Sequence, residues 1–191
     1  LHTALSLLVE SDPEWLITAR NMYFAATNLS DRLCAARLVV HQGDDVHRAE
    51  VLEHFFDRWQ SENLVVNQWF VMQATRPSAD CVSDVTELTH HAAFDWRNPN
   101  KVRSLISAFA GANPTGFHAL DGGGYRLLGD AVRRLQSDNP QIAARMLAPM
   151  TRWRRYDHGQ VVMRGELESI AALEGLSQDV YEVVNRSLSD S

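Results

Sequence analysis

The chain has 191 residues, 45% of them hydrophobic and 22% charged, so one ordinary core can be buried without a metal or disulfide staple. Eighteen Lys and Arg against 24 Asp and Glu give a net charge of -6, which disfavours a dedicated nucleic-acid or anionic-membrane binder. Lys101 is the only lysine; every other cation is arginine.

Period-3.6 apolar stripes run through the chain and strand-like alternation is almost absent. Leu1, Ala4, Leu5 and Leu8 open inside such a stripe without an initiating Met, so the chain reads as cut from something longer, with Leu1, Leu5 and Leu8 expected to be uncovered. Val46, Ala49, Leu52, Phe55, Phe56 and Trp59 predict one face of a helix over 44–60. Val102, Leu105, Ile106 and Phe109 repeat the pattern, as do Leu127, Leu128, Ala131, Val132 and Leu135. Leu167, Ile170 and Ala171, then Val180, Tyr181, Val184 and Leu188, mark two more helices.

The punctuation agrees. Asp12-Pro13, Asn98-Pro99 and Asn139-Pro140 each place a side-chain acceptor at the N-cap and a proline at the first helical position, and Ser177 can cap the last helix. Gly43, Gly111 and Gly175 follow helical runs, where a left-handed residue is wanted. The expectation is an all-α chain of about ten or eleven helices, with one longer irregular stretch over 110–125. Paired helices with short connections suit an armadillo- or HEAT-like solenoid or a compact bundle, and periodicity leaves both open. No linker tract divides the chain, so residues 1–191 read as a single helical domain.

Cys34 and Cys81 are too few for a disulfide framework or thiolate cage. No apolar run approaches the ~20 residues of a membrane span and no secretory signal is evident; the cytoplasm is the expected compartment.

His47, Glu50 and His54 share one side of a helix at i, i+3 and i+7, a spacing that suits a divalent metal but also any solvated helix face; no His-Glu-x-x-His occurs. The glycine-rich 121–125 segment has neither a preceding strand nor a following Gly-Lys-Ser/Thr, and is read as a turn needing positive φ or close backbone approach. Arg152, Trp153, Arg154, Arg155 and Tyr156 form a basic and aromatic cluster, read as salt-bridged or solvated surface rather than a nucleic-acid site. His90, His91 and His118 are read as structural or surface residues. Arg103 and Arg145 each fall in the second turn of a helix introduced by Asn-Pro, where a cation opposes the macrodipole and needs a partner. That partner is either an Asp or Glu of the chain or a bound carboxylate.

Beyond these readings the sequence has a family likeness. Asn28-Leu29-Ser30-Asp31-Arg32 and Leu64-Val65-Val66-Asn67-Gln68-Trp69-Phe70 with Gln73-Ala74 are the first matches. Asn98-Pro99-Asn100-Lys101-Val102-Arg103-Ser104-Leu105-Ile106 is the most specific. Asn113-Pro114, Phe117-His118, Gly124-Tyr125, Asn139-Pro140-Gln141-Ile142-Ala143-Ala144-Arg145 and Arg155-Tyr156-Asp157 follow in order. Together they resemble the C-terminal helical domain of the bacterial aminopeptidase N family, over nearly the whole chain.

The resemblance implies a superhelical array of antiparallel helix pairs, belonging to a zinc-dependent aminopeptidase that removes N-terminal residues from peptides. It further implies that this domain covers the active site of an upstream catalytic domain of the same chain and restricts access to it. Arg103, Gln141 and Arg145 match positions that line the substrate channel. The zinc-binding motif and the Gly-x-Met-Glu-Asn exopeptidase motif have no counterpart here, so zinc is expected only in the full-length enzyme and no catalysis in this chain alone. The competing expectation is a free-standing helical-repeat scaffold binding a protein or peptide partner.

Overall fold

The computed structural model describes residues 5, 7–9, 12 and 14–189. Leu1, Ala4 and Pro13, on which part of the N-terminal expectation rests, lie outside them. The described residues are helical with turns between and hold no strand, an armadillo-like array. They fall into two compact units, residues 1–76 and 77–191.

In the first unit α1 (Trp15–Ala25), α2 (Leu29–Gln42), α3 (Asp45–Trp59) and α4 (Asn63–Ala74) pack in sequence. Asn28 and Asp44 cap α2 and α3, accepting hydrogen bonds from the Asp31 and His47 amides. The core is Ala19 and Tyr23 of α1, Ala36, Val39 and Val40 of α2, Val51 and Phe55 of α3, and Phe70 and Met72 of α4. The buried side of α3 is therefore centred on Val51 and Phe55; Val46, placed on it by periodicity, is 76% exposed. Val46 lies in the first turn of the helix. Leu5 is buried rather than uncovered, whereas Leu8 is 37% exposed.

The second unit begins with α5 (Cys81–Leu88). From Pro99 the chain is helical to Ala112, as α6 (Pro99–Val102), a π-helical stretch (Arg103–Ser107) and α7 (Ala108–Ala112). α8 (Pro114–Phe117), α9 (Gly123–Leu135), α10 (Pro140–Met146), a 3-10 segment (Met150–Arg155), α11 (Gln160–Ala171) and α12 (Gln178–Ser189) follow. α9 packs on α10 and α11, and α12 on α10 and α11. Val102, Leu105, Ile106 and Phe109 are all fully buried, as are Leu128, Val132, Leu167, Ile170, Val180 and Val184. These positions follow the sequence periodicity because each lies between helical neighbours, whereas Tyr181, placed on the last stripe by the same periodicity, is 51% exposed and Ala171 is also exposed.

Local signals fare unevenly. Asn98 accepts from the Asn100 amide and Asn139 from the Ile142 amide, so both Asn-Pro starts cap their helices. Asn113-Pro114 carries the same signal and opens α8, with the Asn113 side chain taking the Gly116 amide; this places helix inside the stretch expected to be irregular. The Ser177 hydroxyl is buried and caps nothing: its amide donates to Gln136 Oε1, while its carbonyl accepts from the Tyr181 amide. Gly175 is left-handed at φ +70°, but Gly43 is extended and Gly111 lies within α7.

Among the described residues no helix is long and apolar enough to cross a membrane.

Candidate functional site

The Asn98 cap and Pro99 set α6, and with it the position of Arg103, the first residue of the π-helical stretch. A π turn widens the backbone by one residue and is often found at functional positions. Nothing in the residue pattern signals it. Asn139 and Pro140 similarly set α10, which carries Arg145. Arg103 and Arg145 are brought together: both line a cavity of about 300 Å3, walled by Ser107, Gly111, Ile142, Met146 and Pro149. No Asp or Glu lines it. Among the described residues the Arg103 guanidinium reaches only Asn100 Oδ1, at a long 3.5 Å, and both arginines are solvent-exposed.

The macrodipole reasoning holds for Arg103 and fails for Arg145. The helix 99–112 continues well past Arg103, whereas α10 ends at Met146 and puts Arg145 in its last turn, where a cation is favourable. Arg145 needs no anion on that ground. Its placement beside Arg103 in an acid-free cavity is a separate observation. Gln141 is exposed in the first turn of α10 and does not line this cavity.

Two further cavities adjoin. One, of about 350 Å3, is lined by His118, Arg152 and Tyr156; the other, of about 460 Å3, by Arg145, Thr151 and Arg186. Ala148 lines all three, and among the described residues no acidic side chain lines any of them. This is notable in an acidic chain whose Arg20, Arg48, Arg133 and Arg164 are all ion-paired to carboxylates.

The 152–156 cluster divides by role. Trp153 is buried and its indole N–H donates to the Ser187 carbonyl at 3.3 Å. Arg154 stacks on Trp153 and donates to the Ser187 and Leu188 carbonyls, which satisfies the C-terminal end of α12. His118, read from sequence as structural or surface, is partly buried with Nδ1 2.8 Å from the Tyr125 hydroxyl, and burial holds its pKa below the ordinary value. His90 contacts Thr86 and Thr89, and His91 Nδ1 accepts from the Ala93 amide.

The α3 triplet does not converge on a common point. His47 Nδ1 contacts Asp44, the Arg20 guanidinium grips the Glu50 carboxylate, and His54 Nδ1 lies 2.8 Å from the Tyr23 hydroxyl. Among the described residues no group of three or more His, Cys, Asp or Glu side chains stands where it could hold a metal ion. The described residues therefore do not fit a zinc centre. In the glycine-rich turn, Gly122 takes φ +70° and the Asp121 carboxylate accepts from the Gly123 amide at 2.9 Å, an Asx-type turn rather than a phosphate cradle.

An all-helical array without strands among the described residues defines a helical-repeat protein of the armadillo kind. More particularly, the chain belongs to the family described as "Domain of unknown function (DUF3458_C) ARM repeats", which matches residues 1–189. It is 39% identical over 173 residues to Aminopeptidase N of Escherichia coli (strain K12), covering 90% of this chain and 20% of that protein. It is 36% identical to Aminopeptidase N of Caulobacter vibrioides over 98% of this chain and 22% of that protein. A crystal structure of Legionella pneumophila aminopeptidase A in complex with aspartic acid superposes with a TM-score of 0.92 at 29% identity, covering all of this chain and 22% of that one. The chain thus spans about a fifth of the length of the curated relatives it matches.

Proposed function

We propose that this chain is the C-terminal, non-catalytic part of a cytoplasmic zinc-dependent aminopeptidase that removes N-terminal residues from peptides, with residues 1–191 acting as one domain. In this reading the catalytic zinc domain lies upstream in the same chain. The helical array covers that domain's active site, restricts entry to peptides, and lines the channel with Arg103, Gln141 and Arg145. Neither nucleic acid nor a membrane is a partner. The observation that carries the reading is the joint placement of Arg103 and Arg145 on one acid-free cavity, in a chain whose curated relatives are named Aminopeptidase N.

An exposed guanidinium without a carboxylate beside it is available to the carbonyl oxygens of a bound peptide, and a charge-assisted hydrogen bond of that kind contributes about 1.5–3 kcal/mol. In an aminopeptidase carrying this chain, Arg103→Glu or Arg145→Glu should lower kcat/KM for peptides roughly 10- to 150-fold. Small arylamides, which have no peptide chain to extend into the cavity, should suffer less, and folding should be nearly unchanged. Equal losses on both substrate types, with a melting temperature lowered by many degrees, would show that the arginines are structural.

A further inference from the structure

Arg152 stands in the cavity next to the one that holds Arg103 and Arg145. It occupies the non-helical residue of the 3-10 segment, at φ -94° and ψ 18°, between anchored neighbours. Trp153 is buried against α12, and Arg154 is committed to the carbonyls at the end of that helix. Arg152 is exposed, and no carboxylate among the described residues pairs with it. Among the described residues it is the only charged side chain of a cavity otherwise lined by small and apolar residues with His118 and Tyr156.

The aromatic part of the lining is held in place. The His118 ring stacks on Tyr156 at 4.2 Å between centroids, 25° from parallel, and its Nδ1 meets the Tyr125 hydroxyl at 2.8 Å. Tyr125 is itself fixed, because its hydroxyl occupies the space where a Cβ on Gly159 would stand. The site is therefore preorganised around a single cation. One planar guanidinium matches one carboxylate through two parallel hydrogen bonds, whereas a dianionic phosphate calls for more donors than Arg152 alone supplies.

We propose that this cavity is a subsite for the terminal carboxylate of a peptide, bound by Arg152 with the residue bearing it set against the His118–Tyr156 stack. The proposal rests on the reading of the Arg103–Arg145 cavity as peptide-binding. The two cavities share Ala110, Gly111, Ala148 and Pro149, so one extended peptide can span both.

The test is calorimetric titration of the 191-residue chain with N-acetyl-tetraalanine, as the free acid and as the C-terminal amide, and with inorganic phosphate. The free acid should bind about tenfold or more tightly than the amide. Arg152→Gln should abolish that ratio, and Arg152→Lys should keep a reduced preference for the acid. Arg145→Gln should weaken both peptides and leave the ratio unchanged. Because Arg152 is exposed, the melting temperature should move little in either Arg152 variant. A ratio that survives Arg152→Gln overturns the subsite while leaving the neighbouring cavity's reading intact. Affinities that no arginine substitution alters, or a chain that binds neither peptide, overturn both. Phosphate binding as tight as the free acid marks a general anion site and also overturns the assignment.

Discussion

A Cβ on Gly124 would stand 2.5 Å from the carbonyl oxygen of Phe117 and 2.7 Å from its Cα. The first turn of α9 therefore lies directly on the backbone at the end of α8, and Phe117 and Tyr125, both buried, meet edge-to-face at 5.2 Å around this contact. Backbone cannot swing aside as a flexible side chain would. Gly124→Ala should destabilise the chain by about 1–3 kcal/mol, although alanine favours helix by up to about 1 kcal/mol. In a chain of this size that lowers the melting temperature by roughly 2–12 °C. Gly165 of α11 is the control, since a Cβ there meets nothing within 4 Å. Gly165→Ala should raise stability by about 0.5–1 kcal/mol, and differential scanning calorimetry of the two variants reads the opposite signs.

Asn139 anchors the helix that carries Arg145. Replacing it by alanine removes the acceptor for the Ile142 amide and should cost about 1 kcal/mol, seen as a lower urea midpoint. If the cap also positions Arg145, peptide binding weakens along with stability, whereas Asn28→Ala in the first unit lowers stability alone. Equal effects of the two variants on binding would remove Asn139 from the positioning of the cavity.

Acidification should destabilise the fold. Burial is the main cause pulling His41, His54, His91 and His118 below the ordinary imidazole pKa. A depressed folded-state pKa means the unfolded chain takes up protons first, at about pH 6.5, so stability is complete above that value and falls as the pH drops below it. Asp44 and Glu50 act in the same direction at lower pH, being held below the usual carboxylate range by hydrogen bonds from His47 and Arg20 respectively. His41 Nε2 lies 3.0 Å from the Met72 carbonyl, and glutamine can supply a donor there without titrating. Urea unfolding between pH 5 and 8 should therefore show a shallower pH dependence for His41→Gln; an unchanged slope would mean that His41 does not contribute.

The isolated chain should bind no stoichiometric zinc and release no product from aminoacyl-arylamides. Its His47, Glu50 and His54 side chains are engaged by Asp44, Arg20 and Tyr23, and a zinc site needs three or four convergent ligands. Metal analysis after dialysis and an arylamide assay on repurified protein check this. One tightly held zinc per chain, or activity that persists through repurification, would contradict it.

The sequence alone determined the helices, because a stripe such as Val102, Leu105, Ile106 and Phe109 can be buried in only one conformation, and Asn-Pro starts carry their capping chemistry locally. The ordered residue matches also located the family, over 1–189. Tertiary structure decided what depends on neighbours. It made Val51 rather than Val46 the centre of the buried side of α3, left Gly43 extended, and ended α10 at Met146, which reverses the dipole reasoning for Arg145. It also divided the 152–156 cluster, assigning Arg154 to helix-end carbonyls and Arg152 to a cavity wall. The reason is physical: helix formation is governed by residues a few positions apart, whereas the partner of a long arginine side chain is whatever the packed chain brings within reach.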